Sequence, residues 1–134
     1  LCAAFFCIFE VKITRMNWLY VFVGGGLGSI ARYAIGTLTP FFITTQYPLA
    51  TFLSNMLATA LLALTVYQFR DMKADWIYPL VVVGFCGGFS TFSTFSNDNF
   101  QLMQQGNWTF LLLNIVLSIG VGLFLVWLFA SARN

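Results

Sequence analysis

The segment between Gly84 and Asp98 holds the chain's densest cluster of side chains that can bind an ion. It reads Gly-Phe-Cys-Gly-Gly-Phe-Ser-Thr-Phe-Ser-Thr-Phe-Ser-Asn-Asp, so a glycine pair precedes five hydroxyl residues interleaved with phenylalanines. Each glycine weakens a helix by about 1 kcal/mol relative to alanine, and serine and threonine hydroxyls can pair with backbone groups that an interrupted helix releases. Hydroxyl hydrogens and aromatic ring edges also present positive charge to an anion. The pattern therefore predicts a helix that is interrupted over residues 87–91 at an ion site.

The composition places this segment in a membrane. Of 134 residues, 60% are apolar and 7% are charged, and histidine is absent, which is typical of a single membrane domain. Irregular backbone at membrane depth is tolerated only where protein buries it or where it lines a water-filled cavity. We expect an all-α integral membrane protein whose third helix is broken mid-membrane, with four transmembrane helices over residues 18–37, 49–69, 76–100 and 108–130.

The same composition argues against several classes of function. The net charge of +2 is too small to indicate nucleic-acid binding, and four acidic residues without histidine argue against an enzyme. The three cysteines have no metal-binding spacing, so we expect Cys86 to pack in the core. We expect the nearby Phe89 to pack there as well.

Residues 1–15 fit poorly with the membrane domain, which we assign to residues 16–134. Their apolar part is too short to span a bilayer, and they lack the basic start and the small-residue cleavage site of a signal peptide. We expect this segment to be a non-native or disordered extension, or the product of a misassigned start, and we assign it no function.

The run from Gly87 to Asp98 resembles the hallmark of the Fluc (CrcB-type) fluoride channels, Gly-Gly-Phe-Thr-Thr-Phe-Ser-Thr-Phe-Ser-x-Glu. Ser90 replaces the first threonine of that hallmark and keeps its hydroxyl, and Asp98 stands where glutamate is usual. The Gly-x-x-Gly-Ser-x-x-Arg pattern over residues 25–32 is similar to the first-helix signature of the family. The resemblance covers residues 16–130. It implies a fluoride-selective, passive anion channel that exports fluoride across the cell (inner) membrane and so lowers cellular fluoride.

The resemblance also implies an antiparallel, dual-topology homodimer in the lipid bilayer. The backbone carbonyls of Gly87 and Ser90 would hold a structural Na⁺ at the centre of the dimer interface. Phe92 and Phe95 would present their ring edges to fluoride. The family's pore asparagine corresponds to Asn55, although an alanine replaces the glycine of its Asn-x-x-Gly pattern. The other residues that we assign to the fluoride pathway are Arg32, Ser93, Thr94, Ser96, Asp98, Asn114 and Ser118.

Considered without the resemblance, several of these residues also have structural interpretations. Asn55 could serve only as a hydrogen-bonding group between helices, which contributes about 1 kcal/mol or less in a membrane. Arg32 could be an interfacial anchor near a helix end, or a cation that raises the local anion concentration, or both. Asn114, Ser118 and Gly122 lie at i, i+4 and i+8, so their shared face could be a small-residue packing face or a polar track.

Lysine and arginine are distributed unevenly between the two sides of the four predicted helices. Five lie on the side of the termini and Arg32 alone lies opposite, which favours the termini inside. If translation starts at Met16, the counts fall to three and one, a weak bias of the kind expected for dual topology. No ATP-binding motif and no mid-membrane glutamate or histidine is present, so we expect passive flow. An inside-negative potential drives an anion outward by about 2.3 kcal/mol per charge per 100 mV.

A second interpretation is a small dimeric proton-coupled multidrug exporter. Such an exporter needs a carboxylate within the membrane, and because Glu10 lies outside the predicted helices, Asp98 is the one candidate. A third interpretation is a membrane subunit without transport activity, for which a hydroxyl-rich interruption of a helix has no purpose.

Overall fold

Four helices that are long and apolar enough to cross a bilayer make up the protein. The computed structural model describes residues 15–43, 45–68 and 74–132, and no strand occurs within these ranges. Residues 1–14, nearly all of the predicted extension, lie outside the described residues, as does the charged turn at 69–73. The expected all-α architecture is confirmed, and the four spans are Asn17–Phe42, Leu49–Gln68, Tyr78–Gln104 and Trp108–Ser131.

The first helix, α1 (Arg15–Phe42), is longer than the predicted 18–37 and contains Pro40. Helix α1 therefore continues through Pro40, past the end predicted at residue 37. A proline inside a helix leaves the carbonyl four residues earlier unpaired and crowds it, but here that carbonyl belongs to Gly36 and the helix ends two residues later. Thr39 also donates its hydroxyl to the carbonyl four residues before it at 2.7 Å.

The second and last helices, α2 (Leu49–Gln68) and α6 (Trp108–Ser131), lie within one residue of their predicted bounds and pack against each other. A Cβ added to Gly122 would lie 4.0 Å from Met56 Cε, so this part of α6 faces α2. Much of the remaining surface of α6 consists of exposed apolar side chains, which suits a helix that faces lipid or a second subunit. Tryptophan is enriched at membrane–water interfaces, and all four tryptophans are exposed near the ends of spans: Trp18, Trp76, Trp108 and Trp127.

The third span consists of three helical segments: α3 (Tyr78–Cys86), which is π-helical, α4 (Gly87–Phe89) and α5 (Phe92–Gln104). Between α4 and α5, Ser90 (φ −78°, ψ 158°) and Thr91 (φ −154°, ψ 115°) have extended backbones. The irregular segment is therefore two residues long instead of the predicted five.

Glycines hold the first half of the third span against α1. A Cβ on Gly24 would overlap the Leu80 carbonyl oxygen, and a Cβ on Gly88 would overlap the Gly25 carbonyl oxygen. The two backbones therefore touch, and such close approach drives helix association in lipid, where the hydrophobic effect is absent. Gly88 therefore packs α4 against α1 and does not end the helix.

A small core forms around this contact. Cys86 and Phe89 are 2% and 6% exposed, as expected for core residues. The ring of Phe89 lies 5.4 Å from that of Phe85, centroid to centroid. Most other large apolar side chains of the described residues point outward, as they must in a protein whose solvent is lipid.

The loop after the third span begins later than expected. The helix α5 passes its predicted end at residue 100, and the chain turns at Gly106, whose φ of 69° suits glycine. Asn107 then caps α6, because its Oδ1 accepts a hydrogen bond from the Phe110 N–H at 3.5 Å. Its Nδ2 donates to Gln46 Oε1 at 2.9 Å and so connects the two loops on this side of the helices.

Tyr47, in the first of these loops, packs against two aromatic rings. Its ring lies 5.9 Å from that of Phe52 and 6.2 Å from that of Phe110, both edge-on. Its hydroxyl is buried, and no hydrogen-bond partner for it lies among the described residues. Burial raises the pKa of Tyr47, so the phenol remains neutral.

Candidate ion pathway

One side chain from α2 holds the extended residues between α4 and α5. The Thr91 N–H donates to Asn55 Oδ1 at 2.7 Å, and Asn55 Nδ2 donates to the Thr91 carbonyl at 3.3 Å. An amide side chain offers the same donor and acceptor as a neighbouring strand, so it satisfies both backbone groups of an extended residue. Asn55 therefore makes the bond between helices that its structural interpretation requires, and it keeps one N–H for another acceptor.

Thr91 also begins α5 with its own side chain. Its Oγ1 accepts a hydrogen bond from the Thr94 N–H at 3.2 Å and donates to Thr94 Oγ1 at 3.1 Å. Ser93 Oγ lies 3.1 Å from the same oxygen. Three hydroxyl groups thus form a connected cluster at the N-terminus of α5, the end of a helix at which negative charge is stabilised.

The same bonds release two carbonyl groups from helical pairing. In a continuous helix the Thr91 N–H would pair with the Gly87 carbonyl, and the Thr94 N–H with the Ser90 carbonyl. Here these N–H groups donate to the side chains of Asn55 and Thr91. The carbonyls of Gly87 and Ser90, our predicted Na⁺ ligands, therefore lack these helical donors. Among the described residues, His, Cys, Asp and Glu side chains form no group of three that could bind a metal.

A cavity of about 310 Å³ lies between α1, α2 and the start of α5. One of its lining residues is Arg32, which lies ten residues before the end of α1 because that helix continues to Phe42. Arg32 is therefore not at the helix end where an interfacial anchor was considered. The other lining residues include five with hydroxyl groups on short side chains: Ser29, Thr51, Ser54, Thr91 and Thr94.

A second cavity, of about 350 Å³, adjoins the first, since both are lined by Ala50 and Thr51. Asp98 lines this second cavity. Thr51 Oγ1 donates to Asp98 Oδ2 at 2.6 Å, so the carboxyl group lies at the boundary of the two spaces.

Phe92 and Phe95 lie one turn apart on α5, with ring centroids separated by 6.1 Å and planes inclined by 35°. Phe92 is 80% exposed, and Ser93 and Ser96 are exposed as well. An aromatic ring and two hydroxyl groups thus lie on the surface of a span that is long and apolar enough to cross a bilayer.

Comparison with known proteins assigns the chain to a family. A family model described as CrcB-like protein, Camphor Resistance (CrcB), matches residues 19–130. The chain belongs to the CrcB family. Relatives named fluoride-specific ion channel FluC include those of Flavobacterium psychrophilum (36% identical over 81% of this chain and 89% of the relative) and Pyrococcus abyssi (38%, 87% and 95%). That of Magnetococcus marinus is 37% identical over 78% of this chain and 86% of the relative.

With four helices long and apolar enough to span a bilayer, this CrcB chain is a multi-pass membrane protein. Seven of its predicted site residues form two groups, in addition to those already described on α4 and α5. In the first group, Arg32 and Thr94 line the first cavity, Asn55 and Ser93 each bond to Thr91 of that lining, and Asp98 bonds to Thr51.

Asn114 and Ser118 form the second group, on α6 of the CrcB chain. Asn114 is 1% exposed, and its Nδ2 donates to Asn99 Oδ1 at 2.9 Å. Ser118 Oγ donates to Asn114 Oδ1 at 3.4 Å. These polar groups therefore connect α6 to α5, one turn or more before the point at which Gly122 faces α2.

Sequence reasoning did not assign several residues of this region to the pathway. Thr51 and Ser54 line the first cavity, and Asn99 bonds to Asn114. A signal existed for two of them: Thr51 lies four residues before Asn55, and Asn99 lies seven after Phe92, so each shares a helix face with a predicted pathway residue.

Proposed function

We propose that this protein is a fluoride-selective, passive anion channel that exports fluoride from the cell. The relatives named fluoride-specific ion channel FluC support this proposal, since they match most of the chain at 36–38% identity. The geometric observation that carries it is the cavity between α1, α2 and α5, where Arg32 and several hydroxyl groups line one space. The guanidinium of Arg32, with the hydroxyl groups of Ser29 and Thr94 in the same lining, attracts an anion and replaces part of its hydration shell.

Fluoride is small and strongly hydrated, so it needs donors in place of water along the path. The second N–H of Asn55 is one such donor. Ring edges of Phe92 and Phe95 carry partial positive charge, and they can accompany an anion without binding it so tightly that flow stops. The hydroxyl groups of Ser93, Thr94 and Ser96 supply further donors at the start of α5.

Three predicted residues extend this path beyond the start of α5. Asp98 lies at the boundary of the two cavities, where the Thr51 hydroxyl donates to its carboxyl group. Asn114 and Ser118 provide polar groups from α6. We assign Asp98 to the mouth of the path and the α6 pair to its inner wall.

We further propose that the channel is an antiparallel, dual-topology homodimer. Exposure of Phe92, Ser93 and Ser96 supports this, because polar groups on a span need a protein or water surface rather than lipid. A second copy that covers this face would complete the path.

A structural Na⁺ at the centre of that dimer is part of the proposal. The carbonyl oxygens of Gly87 and Ser90 would hold it, and both lack the N–H donors of a continuous helix. Carbonyl oxygens are the ligands that hard cations prefer. The ion would supply positive charge where the two interrupted helices meet.

We place the channel in the cell (inner) membrane, where the inside-negative potential drives fluoride outward. The work is about 2.3 kcal/mol per charge per 100 mV, so no further energy source is needed. Net export lowers the fluoride concentration of the cell.

Anion efflux from liposomes that contain the purified protein tests the proposal. Fluoride and chloride efflux would be compared without a pH gradient, with valinomycin present so that K⁺ balances the charge. We expect fluoride efflux without chloride efflux. Efflux that requires a proton gradient would overturn the channel proposal in favour of the proton-coupled exporter, and Asp98 would then be the carboxylate to test.

Two variants identify the path in the same assay. Asn55→Asp removes a donor and adds a negative charge, and Phe92→Ile removes the ring edge, so each should lower fluoride efflux by about tenfold or more. Phe22→Ile is the matched control, because Phe22 on α1 is 78% exposed and Phe92 is 80% exposed. Equal efflux from Phe92→Ile and Phe22→Ile would remove Phe92 from the path.

A further inference from the structure

A pair of amide side chains joins α5 to α6 deep in the subunit. Asn114 is 1% exposed and donates one N–H to Asn99 Oδ1 at 2.9 Å, while its own Oδ1 accepts from Ser118. The three side chains thus form a chain of hydrogen bonds in which every donor points toward Asn99. Asn99 is the end of this chain.

The bonds of Asn99 leave its donors available. Its oxygen is occupied by Asn114, and the residue is half-buried. Neither N–H of its Nδ2 has an acceptor among the described residues. An amide held in this way presents two N–H groups and shields its carbonyl, so it attracts an anion and offers little to a cation.

Helix periodicity places Asn99 next to the phenylalanine pair. At about 100° per residue, Asn99 lies about 20° around α5 from Phe92 and about 40° from Phe95, and it is one turn beyond Phe95. An ion that leaves the ring edge of Phe95 along this face of α5 therefore meets the amide of Asn99.

We infer that Asn99 is an anion-binding residue of the pathway, which donates its Nδ2 hydrogens to fluoride after the ion has passed Phe95. Asn114 keeps the Asn99 oxygen turned away from the ion. The inference rests on the proposed channel function and adds a ligand to it.

Fluoride efflux from liposomes tests the inference with two variants and one control. Asn99→Leu removes both donors at similar volume, and Asn99→Asp keeps an oxygen that can accept from Asn114 while it replaces the donors with negative charge. Each should lower fluoride efflux by about tenfold, the effect of losing one hydrogen bond to a charged group. Asn97→Asp adds the same charge on the opposite face of α5, where Asn97 is exposed, and should stay within about twofold of wild type.

The outcomes separate this inference from the proposed function. If the wild-type protein carries no fluoride, the channel proposal itself fails. Size-exclusion chromatography and thermal unfolding would first show that Asn99→Asp is folded. If the wild type and Asn99→Asp then conduct fluoride equally well, Asn99 only joins two helices and the inference is overturned. An equal loss of fluoride efflux in Asn97→Asp and Asn99→Asp would also overturn the inference, since a negative charge anywhere on α5 would then be enough to reduce efflux.

Discussion

The two halves of the third span are held in the fold by different forces. The first half, Tyr78–Phe89, touches α1 backbone to backbone at glycines, and five of its residues are buried. The second half, Phe92–Gln104, has Leu102 as its one buried residue and is held by side-chain hydrogen bonds from α2 and α6. One continuous span thus combines a close-packed apolar segment with a polar, exposed one.

This difference shows how a short membrane chain can keep polar groups available for an ion. In lipid, helices associate through close van der Waals contact, which needs no polar side chain. The glycine contact therefore fixes the span in place, and the hydroxyl and amide groups of the other half need only orient the backbone. Asn55 pairs with Thr91 and still retains a free N–H.

The largest effect should follow from filling the glycine contact. Gly24→Ala places a Cβ against the Leu80 carbonyl, which is backbone and cannot move aside, so α1 and α3 must separate. We expect the free energy of unfolding to fall by about 1–3 kcal/mol, as for overpacked cores. Thermal unfolding in detergent measures the change.

Gly26→Ala is the matched control for this substitution. No atom lies within 4 Å of a Cβ at Gly26, and alanine favours a helix by up to about 1 kcal/mol over glycine. This variant should be as stable as the wild type or more so. Identical melting temperatures for Gly24→Ala and Gly26→Ala would contradict the glycine contact.

A smaller effect is expected in the polar half. Thr91→Val removes the oxygen that accepts from the Thr94 N–H and so loses the cap of α5, which costs about 1 kcal/mol. Thr91→Ser keeps that oxygen and should behave like the wild type in stability and in fluoride efflux. We expect Thr91→Val to lower fluoride efflux by more than its small loss of stability would cause, because the first turn of α5 carries the proposed hydrogen-bond donors. Equal efflux from the two variants would show that this cap does not position the path.

The smallest effect should come from the loops. Asn107→Ala removes a long cap bond to Phe110 and the bond to Gln46, so we expect a loss of about 0.5 kcal/mol in unfolding free energy and unchanged fluoride efflux. Both can be measured on one preparation. A drop in efflux comparable to that of Thr91→Val would mean that the loops belong to the path.

Helix positions followed from the length of the apolar run where no proline intervened. The bounds of α2 and α6 were predicted within one residue for this reason. The predicted end of α1 at residue 37 was too early, because Pro40 lies only two residues before the helix end, where the interruption it causes is tolerated, and helix propensity does not show this. The predicted interruption at residues 87–91 was also too wide, since Gly88 packs against α1 within α4 and only Ser90 and Thr91 are extended.

For the candidate site, the sequence showed which residues could bind an ion but not which side chains bond to one another. The hydroxyl-rich run and Asn55 stand out in the sequence because polar side chains are costly in a membrane span. That the Asn55 amide pairs with Thr91, 36 residues away, could not be read from spacing along the chain. Asn99 was overlooked because its partner, Asn114, lies on another helix.

The sequence alone determined that this chain is a four-span membrane protein with a hydroxyl-rich third span. The length of each apolar run and the polar residues within it are local properties that can be read from the sequence. The tertiary structure decided which glycines pack and which residues are extended. It also decided where Arg32, Thr51 and Asp98 lie relative to one another. These features depend on contacts between helices, and in lipid such contacts are selected by close fit and hydrogen bonding, which no single segment contains.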